Sequence, residues 1–544
     1  MTYTEIKEKP NRKYYYRVKS VRKGKKVDKE RIYLGANLNQ KQLKQAEQNA
    51  DKKLLGLEKP KPVKKRISKE GITVSKEENF SEWYQQLMLK SGLADYSSVS
   101  GAIILKPLSY AMWEKIKQAC DEEFKKIGIQ NSYFPLLIPE SLFAKEQEHV
   151  KGFTPEVAWV THAGNTELNE KLAIRPTSEA IMYESYSKWI RSWRDLPLKL
   201  NQWNNVVRWE FNNPVPFFRT REFLWNEGHT AFATEKRALA EGPKIRKAYE
   251  KVCEELMALP GIYGRKTEKE KFAGAVFSEK LHYYMPNGRI IEGPCFHHDG
   301  QNFAKAYDIK FLDEKEKENY VWQNTFAIST RMLGALFVIH SDDNGLIIPP
   351  KIAENKIVII PIFFDKTKEK VLKVAKEIKE QFKELNPILD DRTDFSPGWK
   401  YNEWELKGIP IRIEIGPRDL ENKSAIVVKR NTSEKQNIKI KELGNQIPKL
   451  LDDMQKELLK NAKKLLKQNQ KKTEDKKELI QFIKQKQMVL VPMCKSEKCE
   501  DILKSETSGA KTLFIDSKNP SATNKKCIIC NKPADYWVYV GKTY

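Results

Sequence analysis

Residues 203–230 read WNNVVRWEFNNPVPFFRTREFLWNEGHT. Both ends of this stretch alternate apolar with polar residues and two prolines lie between them, so the pattern predicts two strands joined by a loop. Arg208 and Glu210 fall on the first predicted strand, and FRTREFLW forms the returning one. We therefore expect Arg208, Arg219 and Arg221 to converge around one hairpin.

Two interpretations of these arginines are open. A guanidinium group binds phosphate or carboxylate through two parallel hydrogen bonds, so arginines beside aromatic rings indicate a site for an anionic ligand. Alternatively, the arginines form a network of salt bridges with Glu210, Glu222 and Glu227. Charge alone slightly favours the network.

A second cluster of reactive residue types lies at residues 291–300, which read IEGPCFHHDG. Its residue types suit a metal site, or a cysteine nucleophile with a histidine base. A zinc-dependent hydrolase built on His297 and His298 is the weakest interpretation. The two histidines lack the i, i+4 spacing of zinc ligands on a helix, and no third ligand of clear geometry lies nearby.

The composition is strongly basic, with 98 Lys and Arg against 73 Asp and Glu in 544 residues and a net charge of +25. This surplus indicates a polyanionic partner such as nucleic acid, although a lysine-rich proteome also produces it. The sequence has no apolar run of about 18 residues, so we expect no membrane span. The first residues lack the apolar core of a signal peptide, and the seven cysteines are not spaced as a disulfide framework. We therefore expect a cytoplasmic protein with reduced thiols.

The first part of the chain differs in character from the rest. Tyr and Val alternate with Lys and Arg over residues 12–35, which predicts a basic β-hairpin that turns near Gly24. Such a hairpin is either a nucleic-acid-binding ribbon or an ordinary solvated hairpin. A lysine-rich helix is predicted over 38–58, and KPKPVKKR at 59–66 has the composition of a linker.

Helices and strands are both predicted in the remainder of the chain. Residues 108–127 have helical periodicity, and the predicted buried face carries Met112, Trp113, Ile116 and Cys120. Residues 356–450 alternate strand, helix, strand and strand, which predicts a compact α/β domain with a mixed sheet. Residues 448–488 predict a long lysine-rich helical stretch.

Four of the seven cysteines lie near the end of the sequence, in two pairs: Cys494 and Cys499, then Cys527 and Cys530. Two such pairs can supply the four thiolates of a closed, structural zinc site. The alternative is a degenerate site whose thiols stay free or pair with one another.

The motifs together resemble those of a known family. VVRWEF and FRTREFLW resemble motif 2 of the class II aminoacyl-tRNA synthetases, in particular of archaeal and eukaryotic-type prolyl-tRNA synthetases. GAIILKPLSYAMWEKI with NSYFPLLIP resembles motif 1, the dimer element, and AIRPTSEAIMY at 173–183 resembles the family's proline-binding segment. FSPGWKYNEWELKGIPIRIEIGPRD at 395–419 is similar to its anticodon-binding domain. The cysteine quartet and GKTY are similar to its C-terminal zinc domain.

The resemblance implies an α+β multi-domain protein. We expect a class II catalytic domain with an antiparallel sheet at 75–350, an α/β anticodon-binding domain at 355–450 and a zinc-binding domain at 470–544. Residues 1–60, the basic hairpin and helix, lie outside the resemblance. They could form an additional tRNA-binding appendage that acts through phosphate contacts. Residues 231–290 are too short for the editing domain of bacterial relatives.

The implied reaction joins proline to tRNA(Pro) through prolyl-adenylate. By resemblance, Arg208 bridges the α-phosphate of ATP and the substrate carboxylate, Arg219 holds the triphosphate, and Arg331 and Phe223 flank the adenine. Thr177 and Glu179 bind the proline ammonium, and Trp225 and His297 line its ring pocket. The full set of ATP-site residues implied is Arg208, Glu210, Arg219, Thr220, Phe223, Glu292, Cys295, Ser329 and Arg331. The resemblance also implies Mg2+ with ATP, structural Zn2+ and a homodimer.

The sequence departs from the family at several positions. Glu292 stands where the family has Gln, and a carboxylate there could recruit Mg2+ or repel a phosphate. Cys295, Phe296, Phe326 and Ala327 also differ from the family residues, as do Pro294 and Asp299. If these changes surround one pocket, the substrate is either proline or another small amino or imino acid. A non-catalytic tRNA-binding paralogue is the remaining alternative.

Overall fold

A computed structural model describes residues 2–10, 12–23, 26–54, 71–142, 156–210 and 214–544. The chain divides into two compact units, Met1–Ser68 and Lys69–Tyr544. The predicted turn at Gly24 and the predicted linker at 59–66 lie outside the described residues. No helix within the described ranges is long and apolar enough to cross a membrane.

The first unit is a three-stranded antiparallel sheet and one helix. The elements are β1 (Thr2–Lys9), β2 (Arg12–Lys23), β3 (Lys26–Ala36) and α1 (Gln40–Leu54). Strands β2 and β3 confirm the predicted basic hairpin, whereas β1 was not predicted. The predicted helix over 38–58 begins at Gln40, and its last four residues lie outside the described part of the chain.

The second unit begins with a region rich in both strands and helices. Its strands are β4 (Ala94–Tyr96), β5 (Ile103–Leu105), β6 (Gln130–Asn131), β7 (Leu137–Pro139), β8 (Trp159–Ala163), β9 (Thr166–Ile174), β10 (Leu198–Val207), β11 (Glu222–Phe232), β12 (Ile262–Arg265), β13 (Phe277–Tyr284), β14 (Arg289–Gly300), β15 (Lys310–Leu312), β16 (Glu318–Tyr320) and β17 (Trp322–Ala327). Its helices are α2 (Phe80–Lys90), α3 (Pro107–Lys126), α4 (Glu179–Trp189), α5 (Glu235–Leu239), α6 (Gly242–Lys251), α7 (Asn302–Ala306) and α8 (Arg331–His340).

The next region is the predicted α/β domain. Its strands are β18 (Ile357–Pro361), β19 (Ile388–Leu389), β20 (Ile411–Ile415), β21 (Ser424–Lys429) and β22 (Lys435–Lys439), and its helices are α9 (Lys368–Gln381), α10 (Pro397–Leu406), α11 (Pro417–Glu421) and α12 (Leu443–Gln468). The sheet order is β19-β18-β20-β21-β22, with the first three strands parallel and the last pairings antiparallel. The mixed sheet confirms the prediction.

The last region adds strands to the largest sheet of the second unit. It contains β23 (Gln470–Lys472), α13 (Lys476–Lys484), β24 (Met488–Met493), α14 (Glu497–Glu506), β25 (Lys511–Ile515) and β26 (Tyr536–Thr543). The single helical stretch predicted over 448–488 is wrong, because β23 interrupts it and pairs with β24. Asp475 then starts a new helix by accepting a hydrogen bond from the Glu478 amide at 2.9 Å.

Eleven strands form one sheet in the order β23-β24-β26-β25-β12-β13-β14-β17-β11-β10-β6. Strands β12, β13, β14, β17, β11 and β10 pair with one another in antiparallel fashion, whereas β6 is parallel to β10. One face packs on α3 and α6, and α3 buries Met112, Trp113, Ile116 and Cys120, as predicted. The opposite face is left for the site, because side chains alternate between the two faces of a strand.

Candidate active site

Arg208 lies one residue past the end of β10, not on the strand as predicted. Its amide still donates a hydrogen bond to the Arg221 carbonyl at 2.7 Å, so the hairpin pairing continues. Its guanidinium donates from Nε to the Pro176 carbonyl at 3.0 Å and lies 5.5 Å and 5.2 Å from the ring centres of Phe223 and Trp225. These contacts hold the guanidinium group on the sheet face opposite α3 and α6, which we call the cleft face. No described residue forms a hydrogen bond with its Nη atoms, so they can bind a ligand.

Arg331 approaches the same place from the first turn of α8. It donates from Nη1 to the Glu292 carbonyl at 3.2 Å and from Nε to the Phe218 carbonyl at 3.4 Å. Burial lowers the pKa of Arg331; Glu292 opposes this effect, and the charges of Arg208 and Arg219 reinforce it. The charges of Arg208 and Arg219 therefore act against that of Arg331, and an anionic ligand would relieve this repulsion.

The remaining side of the cleft comes from the segment just before α8 and from the loop before β11. Ser329 forms an isolated β-bridge with Trp225, and its hydroxyl accepts a hydrogen bond from the Arg331 amide at 3.4 Å. Thr220 is buried and donates to the Glu222 carbonyl at 2.7 Å. These two residues brace the backbone on either side of the arginines.

Arg219 is exposed and contacts the last residue of the sequence. Its Nη2 donates to the Tyr544 main-chain oxygen. The Tyr544 ring stacks on Phe218, with 4.8 Å between centres and 11° between planes, and its hydroxyl accepts from Asn287 Nδ2 at 2.9 Å. The sequence pointed to GKTY only as a family feature and gave no reason to place Tyr544 beside an arginine of the hairpin.

The salt-bridge interpretation of the hairpin is wrong. Among the residues that the structure describes, no ion pair joins the hairpin arginines to Glu210, Glu222 or Glu227. Arg221 does not converge with the others as predicted. Its guanidinium lies over the Trp209 ring at 4.3 Å, while Glu210 is exposed to solvent.

The segment with Thr177 and Glu179 forms a buried turn at the start of α4. The Thr177 hydroxyl donates to the Glu179 carboxylate. Ser178 donates to Glu227 from its amide at 2.9 Å and from its hydroxyl at 2.7 Å, and Asn204 Nδ2 donates to the same carboxylate at 2.7 Å. Glu227 thus fixes the turn that carries the two predicted substrate ligands.

Two buried acids face each other in this pocket. Burial raises the pKa of Glu179, His229 opposes the rise, and Glu227 adds to it. Burial would raise the pKa of Glu227, but the neighbouring His229 and the hydrogen bonds from Asn204 and Ser178 lower it. Sequence reasoning missed Glu227 and His229 as site residues. The signal was available, since they share a strand face with Phe223 and Trp225 by simple alternation.

The two adjacent histidines point to opposite faces of β14. His297 Nδ1 lies 2.7 Å from the Ser278 hydroxyl on the cleft face, and burial together with Lys280 lowers its pKa to about 3. His298 Nδ1 lies 2.8 Å from Asn324 Oδ1 on the helix face. The pair therefore cannot chelate one ion, in keeping with the low rank given to the hydrolase interpretation.

Glu292 is engaged by two lysines. Lys266 Nζ lies 2.8 Å from one carboxylate oxygen and Lys280 Nζ lies 2.8 Å from the other. Burial would raise the pKa of Glu292, but Lys280 and Lys266 hold it well below its usual range. Both carboxylate oxygens therefore already have cationic partners, which argues against the expectation that Glu292 recruits Mg2+ or repels a phosphate.

Cys295 is on the cleft face but is not activated. Burial raises the pKa of its thiol, although Lys280 opposes this effect, and its Sγ lies 3.8 Å from the Ala327 carbonyl. A catalytic cysteine needs a lowered pKa. Cys295 is paired with Ala327 across β14 and β17, so both substitutions do border the cleft.

Phe296 and Phe326 do not border the cleft, which corrects the expectation that these two departures belong to the substrate pocket. They are 2% and 1% exposed and lie on the helix face of the sheet. Phe326 packs edge-on against Phe124 at 5.4 Å and Tyr249 at 6.5 Å. A Cβ atom at Gly228 would lie 2.0 Å from the Phe326 ring, so glycine is required there.

The cysteine quartet is assembled as its spacing predicted. Four sulfur atoms lie within 4.8 Å of one another; they belong to Cys494, Cys499, Cys527 and Cys530. Two of the separations are 3.5 Å and 3.8 Å. Tetrahedral zinc–thiolate bonds of about 2.3 Å place sulfur atoms about 3.8 Å apart, so the donor set fits Zn2+. In the described part of the chain this is the only cluster of three or more metal-ligating side chains.

Three family models match successive parts of the chain. The tRNA synthetase class II core domain (G, H, P, S and T) matches residues 159–340, the anticodon binding domain matches 356–450, and the prolyl-tRNA synthetase C-terminal domain matches 476–544. The order and the boundaries of the matches follow the regions of the fold.

Whole-chain relatives agree with these models. A proline--tRNA ligase of Natranaerobius thermophilus is 44% identical over 456 residues, which cover 83% of this chain and 93% of the relative. A cytoplasmic proline--tRNA ligase of Arabidopsis thaliana is 43% identical over 90% of this chain and 93% of its own length. The crystal structure of prolyl-tRNA synthetase from Cryptosporidium parvum, complexed with halofuginone and AMPPNP, superposes with a TM-score of 0.84 at 41% identity and covers 88% of this chain and all of that one. The chain belongs to the prolyl-tRNA synthetase family of class II aminoacyl-tRNA synthetases.

Proposed function

We propose that the chain activates proline with ATP and transfers it to tRNA(Pro) at the cleft described above. The observation that carries this proposal is the hydrogen bond from Arg208 to Pro176, which places this arginine beside the buried turn with Thr177 and Glu179. The charges of Arg208 and Arg219 also act on Arg331. One half of the cleft suits a polyphosphate and the other half suits an ammonium group. The reaction needs both ligands side by side.

In the first step the carboxylate of proline attacks the α-phosphate of ATP, and pyrophosphate leaves. The nucleophile is already ionised, so positioning and charge neutralisation provide most of the rate enhancement. Arg208 is placed to bridge the two reacting groups, and Arg219 to hold the outer phosphates. Phe223 and Arg331 offer one aromatic and one planar cationic surface for the adenine, with Ser329 and Thr220 bracing the loops around them.

The secondary ammonium of proline would bind to Thr177 and the carboxylate of Glu179. The hydroxyl of Thr177 already donates to Glu179, so the Thr177 oxygen retains its lone pairs for a substrate N–H. Trp225 and the neutral His297 would line the ring of the substrate. A neutral imidazole suits this role, because a second cation would repel the ammonium group.

Mg2+ would enter with ATP and neutralise its phosphates. Glu292 is committed to its two lysines, whereas Glu210 is an exposed carboxylate two residues from Arg208. Zn2+ bound by the cysteine quartet would be structural, because four thiolates leave no open coordination position. It would fix the region that ends in β26 and Tyr544.

The active form would be a cytoplasmic homodimer. Several large apolar side chains remain exposed around the β4–β5 hairpin and α3, the segment that resembles motif 1; they are Tyr96, Val99, Ile104 and Tyr110. A second copy of the chain would cover them. Proline and tRNA(Pro) are the expected partners, and the anticodon-binding region at 355–450 would read the tRNA.

The proposal is tested by amino-acid-dependent exchange of pyrophosphate into ATP, with proline measured beside a full amino-acid panel. Exchange with proline alone is the expected result, and Arg208→Ala should reduce it by at least about 100-fold. Arg221→Ala is the matched control, because that side chain leaves the cluster and should retain exchange. Preference for another amino acid, or no exchange at all, would overturn the proposal.

A further inference from the structure

The first unit has one face covered and one face open. Helix α1 lies against one face of the three-stranded sheet: Arg17 of β2 donates to Asp51 of α1 at 2.7 Å and 2.8 Å, and Lys19 Nζ donates to the Leu54 carbonyl. Residues opposite one another in adjacent strands share a face. The register therefore assigns every second residue of each strand to the face away from α1.

The open face carries four tyrosines. They are Tyr3, Tyr14, Tyr16 and Tyr33. Tyr33 lies between two of them, with ring centres 5.3 Å from Tyr16 and 6.5 Å from Tyr14, and it is 53% exposed. Exposed aromatic rings on a sheet form a surface on which unpaired bases can stack.

Cations surround these rings. The same register places Lys7, Lys9, Arg12, Lys29 and Arg31 on the open face. Lys7 lies over the Tyr16 ring at 5.5 Å and Lys29 over the Tyr3 ring at 5.8 Å. Among the described side chains of this face, Glu5 is the one acid, and it is paired with Arg31 at 3.0 Å.

We propose that this tyrosine face binds RNA, with unpaired bases of tRNA on the tyrosines and phosphates on the surrounding cations. A double-stranded nucleic acid or an acidic protein surface would contact the cations but would offer no unpaired bases to stack on the tyrosine rings. The choice of tRNA as the RNA rests on the proposed function, since tRNA is the polyanion that this reaction requires. None of the three family models includes this unit.

The test measures the Kd of the full chain for a fluorescent tRNA(Pro) transcript by anisotropy. Tyr16→Ala with Tyr33→Ala should raise the Kd about tenfold or more. Tyr16→Phe with Tyr33→Phe is the matched control, because phenylalanine still stacks and should keep the parent Kd. Tyr16→Leu with Tyr33→Leu preserves apolar cover of the sheet and separates a loss of stacking from a loss of folding.

A salt titration isolates the cations. Lys7→Gln with Lys29→Gln should reduce the slope of log Kd against log salt by about 2. Lys41→Gln with Lys44→Gln removes two exposed charges from α1 and should leave the slope closer to the parent value. Proline-dependent pyrophosphate exchange requires no tRNA, so it should be unchanged in all these variants.

Two results would overturn the inference. One is an unchanged Kd and salt slope in both the tyrosine and the lysine variants. The other is tighter binding to DNA oligonucleotides than to the transcript, which would assign the face to DNA. Absence of pyrophosphate exchange in the parent chain would instead count against the proposed function. The Kd for RNA would still test the tyrosine face on its own.

Discussion

Lys280 and Glu292 meet across the adjacent strands β13 and β14, with 2.8 Å between the ammonium nitrogen and a carboxylate oxygen. The other carboxylate oxygen is bound by Lys266, whose side chain is fully buried. The main-chain carbonyl of Glu292 accepts a hydrogen bond from Arg331. Glu292 therefore pairs with two cations through its side chain and holds Arg331 through its backbone.

Replacing Glu292→Gln should destabilise the protein by about 3 kcal/mol at pH 7, because two lysines, one of them buried, would lose their counter-charge. Urea denaturation measures the loss. The folded pKa of Glu292 is lowered, so its stabilisation is present above the unfolded pKa of about 4.3 and is lost as the pH falls through the folded value. The difference between parent and variant should therefore shrink in acid.

The control for this prediction is Glu292→Gln combined with Lys266→Met, which removes the buried charge that the single variant leaves uncompensated. The double variant should recover part of the lost stability. Equal denaturation midpoints for the parent and the single variant at pH 7 would show that the ion cluster contributes nothing net.

Sequence reasoning located the hairpin of Arg208, the helix of Trp113 and the cysteine quartet, because each has a strong local signal in spacing or periodicity. It misjudged Arg221 and Glu292 because their partners lie far away in the sequence: Ser100 for one and Lys266 for the other. It also failed to separate the two faces of β14 and β17. An odd–even count along each strand would have placed Phe296 and Phe326 in the core.

Asp299 should lower the free energy of unfolding of the protein at neutral pH. It is fully buried on the cleft face, and burial together with the charge of Glu179 raises its pKa well above the usual value, although the nearby Thr325 hydroxyl opposes this. A raised carboxyl pKa means that stability falls as the pH rises from about 4 toward the folded value. Asp299→Asn should therefore be more stable than the parent at pH 8 by on the order of 1 kcal/mol.

Thermal unfolding from pH 4 to pH 8 measures this effect, and the advantage of Asp299→Asn should vanish near pH 4. Asp394→Asn is the matched control, because Asp394 is exposed and the substitution should give parallel curves. A variant curve that stays parallel to that of the parent would contradict the assignment of a raised pKa to Asp299.

The quartet should bind one zinc ion per chain by elemental analysis, and Cys527→Ser should lose it. Because a closed thiolate site contributes its binding energy to folding, the variant should be destabilised by several kcal/mol. The same region leads into β26 and Tyr544, whose ring stacks on Phe218 and whose main-chain oxygen accepts from Arg219. Removing zinc with a chelator should therefore also raise the KM for ATP.

The control for zinc is Cys253→Ala, a buried cysteine in the catalytic core. It should lower the Tm without changing the zinc content. Full zinc occupancy in Cys527→Ser would show that the quartet is not the site. An unchanged KM for ATP in the zinc-free protein would instead show that the quartet does not influence ATP binding through Arg219.

Two neighbouring residues of β17 should separate stability from substrate preference. Phe326 lies in the core between the sheet and the helices, so Phe326→Leu should lower the free energy of unfolding by about 1–2 kcal/mol and leave the proline KM unchanged. Ala327 lies on the cleft face beside Cys295. Ala327→Gly should alter the KM for proline or ATP with little change in Tm. The two residues are adjacent on one strand and lie on opposite faces of the sheet. A change of proline preference in Phe326→Leu, with none in Ala327→Gly, would contradict this assignment of the faces.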